Sequence, residues 1–246
     1  MCRNFTFKNL CDETVWIGAT GGSARNIHSE SDTKCGGDGD CFEGTHCIQT
    51  GPINQCFWKN PVPSDGDYAV AAGTTKSVTI PVINNGQNII WSGVMTGRRN
   101  CKDGVCDVAD CGNDKGGCKP SQGFFQPATQ AEITMLRDGV DFYDVEVING
   151  VSLPLSFTPL NGDIKSDDQY FCGNPGSKYP RTKLGSCSWD LKPPSNDYYQ
   201  VTAGGNHCNT ASECTNGTIC GISFNPGHAD LFQKTCGKHL GYWTAD

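Results

Sequence analysis

Apolar and polar residues alternate along residues 5–18, through Phe5-Thr6-Phe7 and on to Thr14-Val15-Trp16-Ile17. A period of two is what a half-buried strand requires, because successive side chains point to opposite faces. Strand character returns at Lys76-Ser77-Val78-Thr79-Ile80 and at Asn88-Ile89-Ile90-Trp91. Two β-rich runs, 131–136 and 141–148, flank Arg137-Asp138-Gly139, a hairpin signal. Leu153-Pro154-Leu155-Ser156-Phe157 follows, and helical periodicity is nearly absent. These runs predict a mainly β chain with an antiparallel β-sandwich core.

Between the runs the pattern breaks. Residues 19–69 are rich in Gly, Asp, Asn and Ser and hold Cys35, Cys41, Cys47 and Cys56. Residues 101–118 pack four more cysteines, and six more lie in the irregular stretch after about residue 163. The predicted organisation is a sandwich core over 1–24 and 70–162, with a cysteine-rich loop at 101–118. An inserted disulfide-rich segment spans 25–69, and a disulfide-rich loop domain spans 163–246. One internal echo stands out: Cys35-x5-Cys41-x5-Cys47 has the same spacing as Cys208-x5-Cys214-x5-Cys220.

Composition sharpens this picture. Apolar residues make up 36% of the 246, below the usual share of about 45–50%. Sixteen cysteines, an even number, can form disulfides. No C-x-x-C occurs and the five histidines are scattered, so no metal site is expected. Disulfides imply an oxidising compartment, hence secretion. No apolar h-region follows Met1-Cys2-Arg3-Asn4, so the sequence reads as a trimmed or mature form. Sequons at Asn4 and Asn216 fit a glycoprotein. The formal charge of −7 disfavours nucleic acid, and no apolar run approaches a membrane span. There is no G-x-S-x-G elbow, P-loop or G-x-G-x-x-G, and no cofactor is expected.

Several stretches together carry a family resemblance. Cys11-Asp12-Glu13-Thr14-Val15-Trp16 resembles C-x-x-T-V-W, and Gly97-Arg98-Arg99-Asn100-Cys101 resembles G-R-T-x-C. Asp110-Cys111-Gly112 resembles the end of T-G-D-C-G, and Pro127-Ala128-Thr129-Gln130-Ala131-Glu132 is similar to P-x-T-L-A-E. Asp141-Phe142-Tyr143-Asp144-Val145 through Leu153-Pro154 resembles D-x-Y-D-V-S-x-V-D-G-x-N-x-P. In order and spacing these resemble the thaumatin-like family, over roughly residues 5–18 and 77–162.

The resemblance implies a β-sandwich with disulfide-rich loops. It implies pairing Cys101 with Cys106, Cys111 with Cys118, Cys172 with Cys236, Cys187 with Cys208, and Cys214 with Cys220. Cys2 and Cys11 fall outside that scheme. Along one extended strand they stand roughly 30 Å apart, at about 3.3 Å per residue, whereas a disulfide needs Cα atoms within about 7 Å. Either the N-terminus folds back, or a C-terminal peptide is missing, or Cys2 or Cys11 links to another chain as a covalent oligomer.

Chemistry rests on the carboxylates of the hairpin. Glycoside hydrolysis needs two at a controlled separation. Glu132 and Asp144, on opposite arms, are expected about 5 Å apart in register, with Glu146 on the same face. Active antifungal members of the family carry a cleft of one Arg, one Glu and three Asp. The resemblance sets Glu132 and Asp144 at the Glu and one Asp position. Asn149, Lys238 and Val94 stand at the other two Asp positions and the Arg, which argues against the family's catalysis. Glu132, Asp144, Glu146, Asn149 and Phe142 are the expected ligand-binding residues, with Glu132 and Asp144 as the catalytic pair if there is one. Three functions follow: binding of an extracellular β-glucan in a defence or cell-wall setting, weak endo-β-1,3-glucan hydrolysis, or a structural role with intermolecular disulfides.

Overall fold

A computed structural model of the chain describes residues 2–62, 68–83, 86–112, 118–119, 121–137, 141–158, 160, 199–224 and 232–242. In chain order the strands are β1 (Cys2–Lys8), β2 (Val15–Gly21), β3 (Ser23–Ala24), β4 (Thr45–Thr50), β5 (Ile53–Trp58), β6 (Ala69–Val70), β7 (Thr75–Pro81), β8 (Ile89–Lys102), β9 (Val105–Val108), β10 (Gln130–Leu136), β11 (Phe142–Glu146), β12 (Tyr199–Val201), β13 (Ile219–Phe224), β14 (Phe232–Gly237) and β15 (His239–Tyr242). Among the described residues, the 3-10 turns Asp38–Asp40 and Ala211–Glu213 accompany them. The chain forms two compact units, residues 1–106, 110–124 and 131–144 in one, and 107–109, 125–130 and 145–246 in the other.

The mainly β reading holds, and the fold is thaumatin-like. In the first unit the principal sheet runs β11-β10-β8-β2-β6, with β9 on the end of β8. Alternation explains its two faces. Ala19, Trp91, Met95, Ile133 and Met135 are buried on one side. On the other, Thr20, Val94 and Glu132 stand side by side across β2, β8 and β10. A separate antiparallel pair, β1-β7, sets Phe5 opposite Val78 and Arg3 opposite Ile80, both partners buried. The Arg3 guanidinium ties this pair to the hairpin, donating to Asp141 and to the Leu136 carbonyl, both at 3.1 Å.

The segment 25–69 contributes β4 and β5 to a sheet, β3-β5-β4, whose third strand, Ser23–Ala24, just precedes it; its composition concealed these strands. It carries the disulfides Cys35–Cys47 and Cys41–Cys56. Likewise the stretch after 163 contains the sheet β14-β13-β12-β15. Neither set of strands shows a clean period of two. Cross-links on β4, β5, β13 and β14 add to the burial of Ala24, Trp58, Val201 and Leu240 in fixing these strands.

The disulfides Cys101–Cys106 and Cys111–Cys118 are present. Within that loop Asp110 accepts the backbone N–H of Cys106 at 2.9 Å and of Gly112 at 3.1 Å, so this carboxylate organises the turn. The other pairings implied by the resemblance are corrected. Cys208 joins Cys220, and Cys214 joins Cys236. This excludes Cys187–Cys208, Cys214–Cys220 and Cys172–Cys236; Cys172 and Cys187 themselves lie outside the described residues.

The physical reason is the echo. In the first copy, the Cys35 N–H bonds the Asn54 carbonyl and the Cys56 N–H bonds the Thr33 carbonyl. In the second, the Cys208 N–H bonds the Lys234 carbonyl and the Cys236 N–H bonds the Asn206 carbonyl. Each copy places a 3-10 turn between its first two cysteines and closes it on the second, Cys41 or Cys214. The two copies are one local fold used twice, and that fold dictates crossed, not nested, bridges. It also gathers the sulfurs of Cys35, Cys41 and Cys47, and of Cys208, Cys214 and Cys236, into tight groups. Those sulfurs are consumed in S–S bonds and offer no thiolate to a metal.

Candidate functional site

Glu132 is exposed at the centre of β10, because its neighbours Ala131 and Ile133 turn into the core. It lines a groove of about 270 Å³. The floor is glycine, small polar residues and one valine: Thr20, Gly21 and Gly22 at and just past the end of β2, and Ser92, Gly93 and Val94 on β8. Ser121 and Gly123 close one side, and Phe57 of β5 forms another.

The floor glycines answer a packing need on the core-facing side of the sheet, away from Glu132. Gly21 and Gly93 are register partners on β2 and β8. A Cβ at Gly93 would stand 2.8 Å from the Trp91 ring and 2.9 Å from the Gly21 Cα. A Cβ at Gly21 would stand 2.6 Å from the Trp58 carbonyl carbon. Only glycine lets these backbones approach so closely.

That approach holds β5 in place. The Trp58 N–H donates to the Gly22 carbonyl at 3.0 Å, and the Gly22 N–H donates to the Ser92 carbonyl at 2.9 Å. The Trp91 indole N–H donates to the Lys59 carbonyl at 2.9 Å. Trp58 is buried, so strand alternation turns Phe57 toward the groove, half-exposed.

Val94 sits directly opposite Glu132 in the β8–β10 register. Glu132 therefore faces an aliphatic side chain on β8, and the hydroxyls nearest along that face belong to Thr20, Ser92 and Thr134. Ser92 and Thr134 share a hydrogen bond of 2.7 Å. This surface offers acceptors and donors for a polyhydroxylated ligand. It places no cation opposite Glu132 on β8.

The other expected residues separate. Asp144 lies on β11, the strand next to β10, exposed between half-buried Tyr143 and buried Val145. By alternation it occupies the solvent face of the sheet, as Glu132 does, but it does not line the groove. Phe142, 63% exposed, is on the same face of β11 and is also outside the groove. Glu146 and Asn149 belong to the second unit, where the Asn149 amide donates to Glu146 at 3.1 Å and accepts from Gln126 at 2.6 Å. Asn149 is thereby engaged in fixing its own turn. Trp91 is core. Sequence reasoning missed Phe57, whose one visible signal is its place in Asn54-Gln55-Cys56-Phe57-Trp58, next to a bridged cysteine.

Cys2 is exposed and Cys11 half-buried, both as free thiols. Burial raises the Cys11 thiol, and the Glu13 charge adds to this. Asn4 and Asn216 are both exposed. Among the described residues, no helix is long and apolar enough to cross a membrane.

A sequence profile of the thaumatin family matches residues 50–245. The chain belongs to the thaumatin family. The match begins within the segment 25–69 and takes in β5. Thaumatin-like protein 1 of Prunus persica is 31% identical over 137 residues, 49% of this chain and 52% of its own. Pathogenesis-related protein 5 of Arabidopsis thaliana is 26% identical over 168 residues, 66% of this chain and 51% of its own. Thaumatin-like protein PWIR2 of Triticum aestivum is 30% identical over 159 residues, 61% of this chain and 83% of its own. The chain thus spans about half the length of the first two relatives.

Proposed function

We propose that this thaumatin family member is a secreted protein that binds extracellular β-glucan in a defence or cell-wall setting. The observation that carries this reading is the groove beneath Glu132, with its glycine floor, hydroxyl-bearing edge and one aromatic wall. Sugars are bound by such mixtures of flat apolar surface and a few oriented polar groups. The disulfides support secretion, and the relative named pathogenesis-related supports the defence setting. Glu132 serves as a hydrogen-bond acceptor for sugar hydroxyls. A charged acceptor of this kind is worth about 1.5–3 kcal/mol.

Hydrolysis is the less favoured reading, because Val94 faces Glu132 and Asp144 stays out of the groove. Co-sedimentation with insoluble β-1,3-glucan tests the proposal, alongside reducing-sugar release from laminarin. Expected are retention of the unmodified protein, loss of retention in Glu132→Gln, and no sugar release. Sugar release abolished in Glu132→Gln establishes the hydrolase instead. No retention refutes glucan binding.

A further inference from the structure

We propose that Phe57 is the stacking platform of a single-sugar subsite in the Glu132 groove, and that the disulfide-knotted hairpin β4-β5 serves to present it. This rests on the glycan reading above and adds to it the residue that selects for a ring with an apolar face.

The placement is over-determined. Cys56, fully buried, is bridged to Cys41 immediately before Phe57. Trp58, immediately after it, is buried and anchored to Gly22. Phe57 also sits mid-sheet, paired with Ser23 on one side and His46 on the other. A side chain held between a cross-link and a buried anchor loses little freedom on binding, which favours affinity. The ring nevertheless lines an open groove, where burying it against protein would have been the ordinary use of a phenylalanine.

What surrounds it specifies the ligand chemistry. Gly21, Gly22 and Gly93 offer only backbone to the groove beside Phe57, so a sugar ring stacked on Phe57 meets peptide groups there. Glu132, Ser92 and Thr20 supply hydrogen bonds at the same groove. An aromatic face beside a polar edge fits a hexopyranose, whose axial C–H groups form one apolar face and whose equatorial hydroxyls project sideways. The volume of about 270 Å³ falls just below the usual ligand-pocket range of about 300–1,000 Å³, which suits one sugar ring.

The test uses the full chain and laminaripentaose as probe, with affinity measured by calorimetry for the unmodified protein and for Phe57→Ala. A tenfold or greater loss is expected, equivalent to about 1.4 kcal/mol or more. Phe57→Trp guards against misfolding: it is expected to keep the affinity and to add an emission component that shifts to the blue on titration. Binding by the unmodified protein with unchanged affinity in Phe57→Ala overturns the subsite while leaving glucan binding intact. So does an added emission in Phe57→Trp that is indifferent to sugar. Absence of binding by the unmodified protein overturns both.

Discussion

Replacing Gly21 by alanine tests the seam that joins β5 to the principal sheet. A new Cβ would lie 2.6 Å from the Trp58 carbonyl carbon and 2.7 Å from its Cβ. Both neighbours are backbone or backbone-proximal, so neither can swing away. The seam must open, weakening the Trp58-to-Gly22 and Gly22-to-Ser92 hydrogen bonds. Overpacking costs about 1–3 kcal/mol, and each disturbed hydrogen bond adds about 1 kcal/mol. A loss of about 3–5 kcal/mol is expected. At roughly 2–4 °C per kcal/mol for a protein of this size, Tm falls by about 6–20 °C. The control is one residue away: at Gly22 the nearest atom to a built Cβ is the Ser92 oxygen at 3.7 Å, an ordinary contact. Thermal unfolding followed by circular dichroism should separate the two variants clearly. Equal melting of Gly21→Ala and Gly22→Ala refutes the close-packed seam.

Other consequences can be measured independently. Peptide mapping under non-reducing conditions should recover Cys208–Cys220 and Cys214–Cys236 as linked pairs; a Cys187–Cys208 peptide contradicts the crossed bridges. Removing Cys35–Cys47, whose cysteines are 12 residues apart, should cost about 3 kcal/mol by the loop-entropy relation, seen as an earlier urea midpoint. His46 on β4 is held below the ordinary imidazole range by burial, with Lys59 adding to this and Asp38 opposing it. Its unfolded form binds protons more readily, so its contribution to stability is full above about pH 6.5. That contribution is lost as pH falls toward the lower folded-state value. Tm should therefore drop more between pH 7.5 and 5 in the unmodified protein than in His46→Gln, and parallel curves contradict this. Iodoacetamide at pH 8 should label exposed Cys2 faster than Cys11, whose thiol is raised by burial; equal rates by mass spectrometry oppose it.

The sequence disclosed those parts of the fold whose burial has a period. Val78 and Ile80 alternate with polar residues and mark β7; Ala131, Ile133 and Met135 do the same for β10. The turn between β10 and β11 announced their pairing, although Asp138 and Gly139 lie outside the described residues. The strands β4, β5, β13 and β14 were illegible as strands, because their burial has no clean period of two and cross-links to distant backbone help set them. Their cysteine spacing still held the answer. Cys35, Cys41 and Cys47 repeat as Cys208, Cys214 and Cys220, and the repeat predicts one bridge pattern for both. The family pairing implied otherwise and was misleading there. In the site, Glu132 could be read from Pro127-Ala128-Thr129-Gln130-Ala131-Glu132, since an outward position between two buried ones follows from alternation. Phe57 could not, because its exposure to the groove depends on Trp58 docking against Gly21 and Gly22, a contact between residues far apart in the chain.

Backbone amide shifts of isotope-labelled protein, followed while laminaripentaose is added, address the groove itself. The expected perturbations gather at Gly21, Gly22, Phe57, Ser92, Gly93, Val94, Ser121, Gly123 and Glu132. Shifts confined to other surfaces, or none at saturating sugar, contradict a glucan site beneath Glu132.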